Sequence, residues 1–517
     1  MSEAGAKQLE PGQQAEPWDA IVIGGGVGSL TAAAYLARAK RRILVLEARE
    51  RLGGWAEAVT ISEGVIAPAM ADTVFALDSV VVRELGLYSL GLSFVERAMP
   101  LVSLRSNGRH LLLPHEIFAA RSAIRTETAA DANAYLLYRR ELFGLARRMR
   151  SLWAPLSPFH APIKFSAGDA ARIDTLSHVS ASAYLDLWFE SESLKNALAL
   201  DSCIDGLAAH ESGSALQLAW RAAQEGCGLQ GAVCQIAGTA GQLSDAVAEA
   251  ARSFGAVLKT GMHVAEILVD HGRASGVRLD DGTTLRANAV LSGLDISTTL
   301  RKLVRSDALP LGIATRLHAE APAVSTAKLL FVLNAVPPFA GLHALGLRGR
   351  LFVAPRAETP AESKNAALLG RMPNDLSLSI TVPSVADREL ASKSRHIVSV
   401  QVPFLPRTPQ GGWASLRDEL RKRVLMTLET YAPGFVDRVS DTVVMTPDDI
   451  YNRYNSGDGV ASIARLLAPY ADRIRAPLPG LFFCGASAEP MDSISGRAGR
   501  LAARMVLGRD AYEWGES

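Results

Sequence analysis

The chain has 517 residues, 48% of them apolar, enough for more than one packed core and for two or three domains. Its 54 Lys and Arg against 53 Asp and Glu leave a net charge of +1, which offers no electrostatic footprint for nucleic acid. Four cysteines, Cys203, Cys227, Cys234 and Cys484, form no C-x-x-C pair, and ten scattered histidines give no zinc spacing, so free thiols in a reducing compartment and no metal are expected.

Residues 1–18 are polar and rich in Pro, Gly and Gln, which reads as a disordered tail without the order of a secretory signal. No run reaches the ~18 apolar residues of a spanning helix. The expectation is a cytoplasmic protein, with room for a peripheral membrane contact and with its oligomeric state undetermined.

From Asp19 to Trp55 the chain reads as one unit. Ala20 to Ile23 is continuously apolar, as in a parallel strand covered on both faces. Gly24, Gly25, Gly26, Val27 and Gly28 follow, a turn that lets the backbone approach a ligand with no Cβ in the way. A helix is predicted from about Ser29 to Arg38, its free amides facing the turn, where a diphosphate is the natural occupant. Ile43 to Leu46 is a second strand. Glu47 ends it, 21 residues after Gly26, placed to accept from both hydroxyls of an adenosine ribose. The strict G-x-G-x-x-G fails by one small residue, Ser29, while strand, helix and acid supply the context the motif requires.

Downstream, Ala58 to Val65 suggests a short strand pair, Val74 to Leu87 has apolar residues at helical spacing, and Leu101 to Leu113 is a hairpin turned at Asn107-Gly108. Thr128 to Leu152 is predicted as a long amphipathic helix with Arg139, Arg140, Arg147, Arg148 and Arg150 on its solvated face. Helical pattern returns from Ser180 to Ala209 and around Ser214 to Gln224. After Gly238-Thr239-Ala240-Gly241 comes a helix, Ser244 to Phe254. Short strands follow at Ala256 to Lys259, Val264 to Val269, Ala274 to Leu279, Thr284 to Ala287 and Ala289 to Ser292. These complete the sheet begun at Ala20, so the helices between are an insertion. Lys328 to Leu333, Leu376 to Thr381 and Ile397 to Val402 are expected as strands of one antiparallel sheet, with Gly412 to Tyr431 a helix against it. Pro479 to Ser487 is a buried strand, and Ser495 to Gly508 a helix whose N-terminus is placed to face the cofactor.

Past the acid, Glu47-Ala48-Arg49-Glu50-Arg51-Leu52-Gly53-Gly54 resembles the E-x-x-x-x-x-G-G extension of flavin-dependent amine oxidases and phytoene desaturase-like proteins. Further marks are Phe189 to Lys195, Gly241 to Val277, Leu294-Asp295, and Pro477 to Gly485. In this order and spacing they resemble the phytoene desaturase-like flavoproteins of the amine oxidase and desaturase superfamily, most closely the branch related to pyridine nucleotide-disulphide oxidoreductase domain-containing protein 2.

The resemblance implies an α/β chain: a Rossmann-like FAD-binding domain of the GR2 type, built from 19–88, 226–296 and 476–517, with an α+β substrate domain inserted at 89–225 and 297–475. It implies FAD as cofactor. Gly24, Gly26 and Gly28, with Ser29 beside them, would lie under the diphosphate, Glu47 would hold the ribose, and Arg49 and Gly54 would flank it. Val264 would pair its backbone with the adenine, Gly485 and Ala486 would reach the ribityl and diphosphate, and Ser495 and Gly496 would lie near the flavin.

The sequence also departs from the family pattern. A T-H-P-G-G-G run is here Ala488-Glu489-Pro490-Met491-Asp492-Ser493; a G-G-x-x-x-H element is Ser456-Gly457-Asp458-Gly459-Val460-Ala461; and an arginine after the second glycine pair is Trp55. Glu489 and Asp492 are candidate catalytic acid-base residues at the flavin face; the competing reading has them solvated or capping the last helix.

Hydride transfer to a flavin asks the protein chiefly to place a carbon and exclude water. Trp153, Phe159, Tyr184, Leu187, Trp188 and Phe189 suit a hydrophobic or amphipathic small-molecule substrate and suit an ordinary core better. No second glycine motif for NAD(P)H is visible, so electrons would pass to oxygen, a quinone or another protein, or be retained in a non-redox isomerisation. The resulting expectation is an FAD-dependent desaturase or dehydrogenase. A flavin amine oxidase is the enzymatic alternative, and a non-catalytic binding or escort protein that keeps the fold is the other.

Overall fold

A computed structural model describes residues 16–158, 164–203, 207–313, 324–391, 394–455, 466–491 and 493–508. Two seven-stranded sheets carry the fold. In the first, Trp18–Ile23 pairs in parallel with Ile43–Leu46 on one side and Thr284–Ser292 on the other. Val257–Lys259 and Leu481–Phe483 extend it, again in parallel. The apolar runs are continuous because both faces are covered. Val22 and Val45 pack on the alanine-rich helix Val27–Arg38, and Ile21 and Leu44 on a layer that includes Leu300 and Leu303.

Thr284–Ser292 is one strand, where the sequence suggested two. Thr284, Leu285 and Arg286 pair antiparallel with Arg273–Leu279, while Ala289 to Ser292 pair parallel with the central strand. One strand therefore joins the hairpin to the parallel core. Parallel strands share a direction, so Ile23, Leu46, Ser292 and Phe483 all end on one edge, where ligands of open α/β sheets bind.

The second sheet runs in the order Val439–Met445, Val324–Leu333, His396–Pro406, Leu378–Thr381, Arg350–Val353, Leu101–Ser103, Leu111–Leu113. The three strands expected to form one antiparallel sheet do so, and the parallel pairing of Arg350–Val353 with Leu101–Ser103 makes the whole sheet mixed. The expected hairpin is present, with Gly108 in the left-handed region at φ +74°. Trp413–Tyr431 covers the sheet through Leu420, Val424 and Leu428.

Beside this sheet lies a helical layer. Ala129–Trp153 starts at Thr128, whose side chain accepts from the Asp131 amide. Asp131 is itself buried and accepts from the amides of Glu190 and Ser191 at 2.9 and 2.8 Å, which pins the Phe189 to Ser191 turn to the long helix. Phe189 stands edge-on to Tyr138 at 5.1 Å, and Tyr184 and Trp188 join the same aromatic cluster. The arginine face of this helix is solvated at Arg140, Arg147 and Arg148, while Arg148 also pairs with Asp169, Arg150 with Glu225, and Arg139 lies over Phe143. The helix expected over Val74 to Leu87 shrinks to Ser79–Glu84, because Val74 bridges Cys234 and Asp78 caps the Val80 amide. Among the described residues no helix is long and apolar enough to cross a membrane, and no cluster of His, Cys, Asp and Glu could hold a metal ion.

The start and end of the chain are joined by close backbone contact. A Cβ on Gly28 would stand 2.1 Å from the Cys484 carbonyl oxygen, and one on Gly499, in the helix Arg497–Leu507, 2.0 Å from that of Gly28. Ion pairing reinforces the junction. Asp78 Oδ2 lies 3.1 Å from Arg500 and 3.5 Å from Arg497, all three buried. Burial raises the pKa of the Asp78 carboxyl, but Arg500 and Arg497 outweigh it and hold the group below its ordinary 3.8.

Two outcomes follow. Gly28→Ala should destabilise the fold by about 2 kcal/mol or more, since backbone and not a flexible side chain must move, read as a lower denaturation midpoint. Asp78→Asn should cost about 3–5 kcal/mol near neutral pH by removing the carboxylate that faces the buried Arg500 and Arg497 guanidiniums, of which Arg497 keeps Glu489. The folded pKa is depressed, so the wild-type advantage is full above the unfolded value and is lost as pH falls through the lower folded one. Denaturation of both proteins should show the gap closing only below pH 3.8.

Candidate functional site

Along the shared edge of the first sheet opens a cavity of about 680 Å³. Gly24, Gly26, Gly28, Ser29, Glu47, Arg49, Gly54, Val264, Gly485, Ala486, Ser495, Gly496 and Glu489 all line it, although they span most of the chain. Asp492 and residues 456–461 lie outside the described residues, as does Phe159.

The glycines differ in what they do. Gly24 turns the strand at φ +91°. Gly26 has nothing within 4 Å of where its Cβ would be, so its face is open to the cavity. Gly28 instead serves the helix packing described above. Ser29 is tolerated at the third motif position because the residue facing it is Gly293, where a Cβ would meet the Ser29 oxygen at 1.8 Å. Gly485 is needed for the same kind of reason, its missing Cβ falling 2.1 Å from the Gly293 carbonyl oxygen. The second glycine pair folds back on the first turn: Gly53 donates its amide to the Gly25 carbonyl at 2.8 Å and bridges Gly26.

Glu47 is 7% exposed. Its Oε2 accepts the Gly25 amide at 2.6 Å and its Oε1 the Arg49 amide at 2.9 Å, which fixes the carboxylate at the end of its strand. Arg49 continues to Glu57 at 2.5 Å. Glu57, 5% exposed, also accepts from Arg453 at 2.7 Å and from the Tyr454 hydroxyl at 2.9 Å. Burial, with the Glu57 charge beside it, pushes the Tyr454 hydroxyl well above its ordinary range, so it stays a donor. Trp55, standing where relatives carry arginine, meets Tyr454 at 6.3 Å between ring centroids. Sequence reading missed Glu57, Arg453 and Tyr454, and no local pattern could find a contact between residues almost 400 apart.

Glu489 is 1% exposed and faces the last helix. Its Oε1 accepts the Ser495 hydroxyl and, at 2.9 Å, the Ala498 amide; Oε2 lies 3.5 Å from Arg497. Ser495 Oγ takes the Arg497 amide at 2.9 Å. Of the two readings of Glu489, the geometry is that of a capping carboxylate. Two amides at the start of the last helix, those of Arg497 and Ala498, are thus engaged by side chains, while Ser495 and Gly496 border the cavity.

The loop Met70-Ala71-Asp72 closes the cavity against the second sheet. Lys328, fully buried, donates to Asp72 at 2.6 Å and to the Met70 carbonyl at 3.1 Å, and Ser399 donates to Asp72 at 2.8 Å. Burial lowers the Lys328 pKa and Asp72 opposes that shift. Beyond this loop the walls turn apolar with Phe75, Trp220, Phe352 and Met491. Of the side chains singled out from the sequence, none among the described residues lines the cavity: Trp153, Tyr184, Trp188 and Phe189 belong to the helical core, and Leu187 is 78% exposed.

These residues fit FAD. The helix Val27–Arg38 begins at Gly26 with no capping side chain and no acidic residue in its first turn, which leaves its amides for an anion. Gly26 would admit a diphosphate, and Glu47 keeps acceptor capacity for a ribose, since a carboxylate offers about four lone-pair sites.

Comparison with known proteins agrees with this geometry. The rat pyridine nucleotide-disulfide oxidoreductase domain-containing protein 2 is 28% identical over 95% of this chain and 93% of its own. Hydroxyneurosporene desaturase of Cereibacter sphaeroides is 25% identical over 94% and 97%. The crystal structure of an oxidoreductase from Methanosarcina mazei shares the fold at a TM-score of 0.63, with 17% identity over 94% of this chain and 99% of that one. Flavin containing amine oxidoreductases match residues 30–491, and the chain belongs to that family.

Proposed function

We propose that this chain is an FAD-dependent oxidoreductase, a desaturase or dehydrogenase that removes hydride from an apolar or amphipathic small molecule. The observation that carries the proposal is the continuity of one cavity from the open glycine turn to an apolar wall of Phe75, Trp220, Phe352 and Met491. FAD, when bound, supplies the hydride acceptor. Gly24, Gly26, Glu47 and Arg49 hold its adenosine and diphosphate. The apolar wall orients the carbon chain and excludes water, so the reacting bond is held rather than chemically activated by the protein. Glu489 gives no proton in this scheme, because its oxygens are engaged by Ser495, Ala498 and Arg497. That same engagement supports a second reading, in which the fold binds an apolar partner without turnover.

Purified protein should be yellow and should bleach anaerobically when an apolar substrate is added. A colourless preparation that also refuses added FAD removes the enzyme reading. Gly26→Ala should lower the flavin-to-protein ratio while changing apoprotein stability by no more than about 0.5 kcal/mol, since its Cβ enters open space.

A further inference from the structure

Resting on the reading of the cavity as a substrate site, we propose that the substrate carries a carboxylate, bound at the apolar end of the cavity by Arg221 and Arg350. Both arginines line that end together with Asp201. Arg221 sits on the helix Ala215–Ala223, Asp201 on Glu192–Cys203, and Arg350 at the start of Arg350–Val353, so three separate elements converge there. Asp201 pairs with Arg350 and lies 3.5 Å from Arg221.

The charges do not balance. Two guanidiniums face one carboxylate, and of the other acids lining the cavity Asp72 is matched by Lys328 and Glu489 by Arg497. Arg221 is 5% exposed and lies 5.0 Å over the Phe75 ring, yet its Nη2 has no hydrogen-bond partner, and neither does Arg350 Nε. A buried, partly unsatisfied cation is costly unless an anion joins it. The surroundings register the same excess. Burial, with Arg139, Arg221 and Arg350 adding to it, lowers the pKa of His115 to about 4, so this ring is neutral near pH 7 and leaves the imbalance to the arginines.

One uncompensated positive charge is neutralised by a monoanion; a phosphate monoester near its dianionic state would overshoot. A carboxylate also matches the planar fork of a guanidinium. The neighbouring Phe75, Trp220 and Phe352 then take the hydrocarbon behind the headgroup. The same field disfavours an ammonium group, which separates this substrate class from amines.

The test is calorimetric titration of the flavin-loaded full chain with three carbon-matched probes, decanoate, 1-decanol and decylamine. Decanoate should bind at least about tenfold more tightly than decanol, as expected for a charge-assisted hydrogen bond, and decylamine more weakly than either. Arg221→Met and Arg350→Met should each abolish the preference for decanoate without weakening decanol, and Arg350→Lys should restore part of it. Equal affinity for decanoate and decanol in the wild-type protein, a comparison that needs no variant to fold, overturns the proposal, as does a preference for decylamine. So does a decanoate preference that survives both methionine variants. Flavin content is read separately by absorbance: a yellow protein indifferent to the headgroup sinks only the carboxylate, while a colourless one with an arginine-dependent preference for decanoate sinks only the flavin reading.

Discussion

Everything in the site depends on how closely backbone can approach backbone where the first helix meets the last strand. The carbonyl oxygens of Gly28, Cys484 and Gly293 each lie where the Cβ of a neighbouring residue would otherwise be, and in each case that neighbour is glycine. A side chain there would lift Val27–Arg38 off the strand ends. With the glycines in place, the helix points its uncapped amides along the edge where four parallel strands finish. The glycine-rich turn thus has two functions that its sequence merges. Gly26 leaves room for a ligand, and Gly28 leaves room for the protein itself.

Buried charge is the second organising constraint. Asp78 and Glu489 are matched by Arg497 and Arg500, Glu57 by Arg49 and Arg453, and Asp72 by Lys328. Each set ties segments distant in sequence, and each places charge where burial alone would oppose it. Such sets contribute less to net stability than to register, because removing one member strands the others. Against that background two guanidiniums share one carboxylate at Asp201, Arg221 and Arg350.

The glycine-turn end of the cavity was legible because its signals are local. An apolar run, a glycine turn, a helix and an acid follow one another within a stretch that folds on itself, so Gly24 to Gly54 could be placed before any long-range contact was known. Val264 and Gly485 required the family resemblance, and it placed them at the same cavity. What escaped was non-local. Val74 to Leu87 has helical spacing, yet a bridge to Cys234 diverts its first half and Gly86, at φ +64°, ends it. The parallel pairing of Leu101–Ser103 with Arg350–Val353 joins residues some 250 apart and leaves no periodic trace. Aromatic content was a poor guide to the cavity for the same reason: Trp188 and Phe189 look like Trp220 in sequence, and only the packing of the helices decides which ring faces the hollow.

The loop around Glu489 shows how a family pattern can be rewritten without losing the fold. Bulk and charge stand where relatives carry glycines, and the carboxylate has turned inward to cap the last helix, with Ser495 and Arg497 closing around it. Glu489 thereby has an internal role, holding the helix whose Gly499 packs on Gly28. Under the proposed function, chemistry then rests on placement. The glycine turn at one end of the cavity would take the dinucleotide and the aromatic rings and two arginines at the other would take the substrate, so that the reacting carbon is held from both sides.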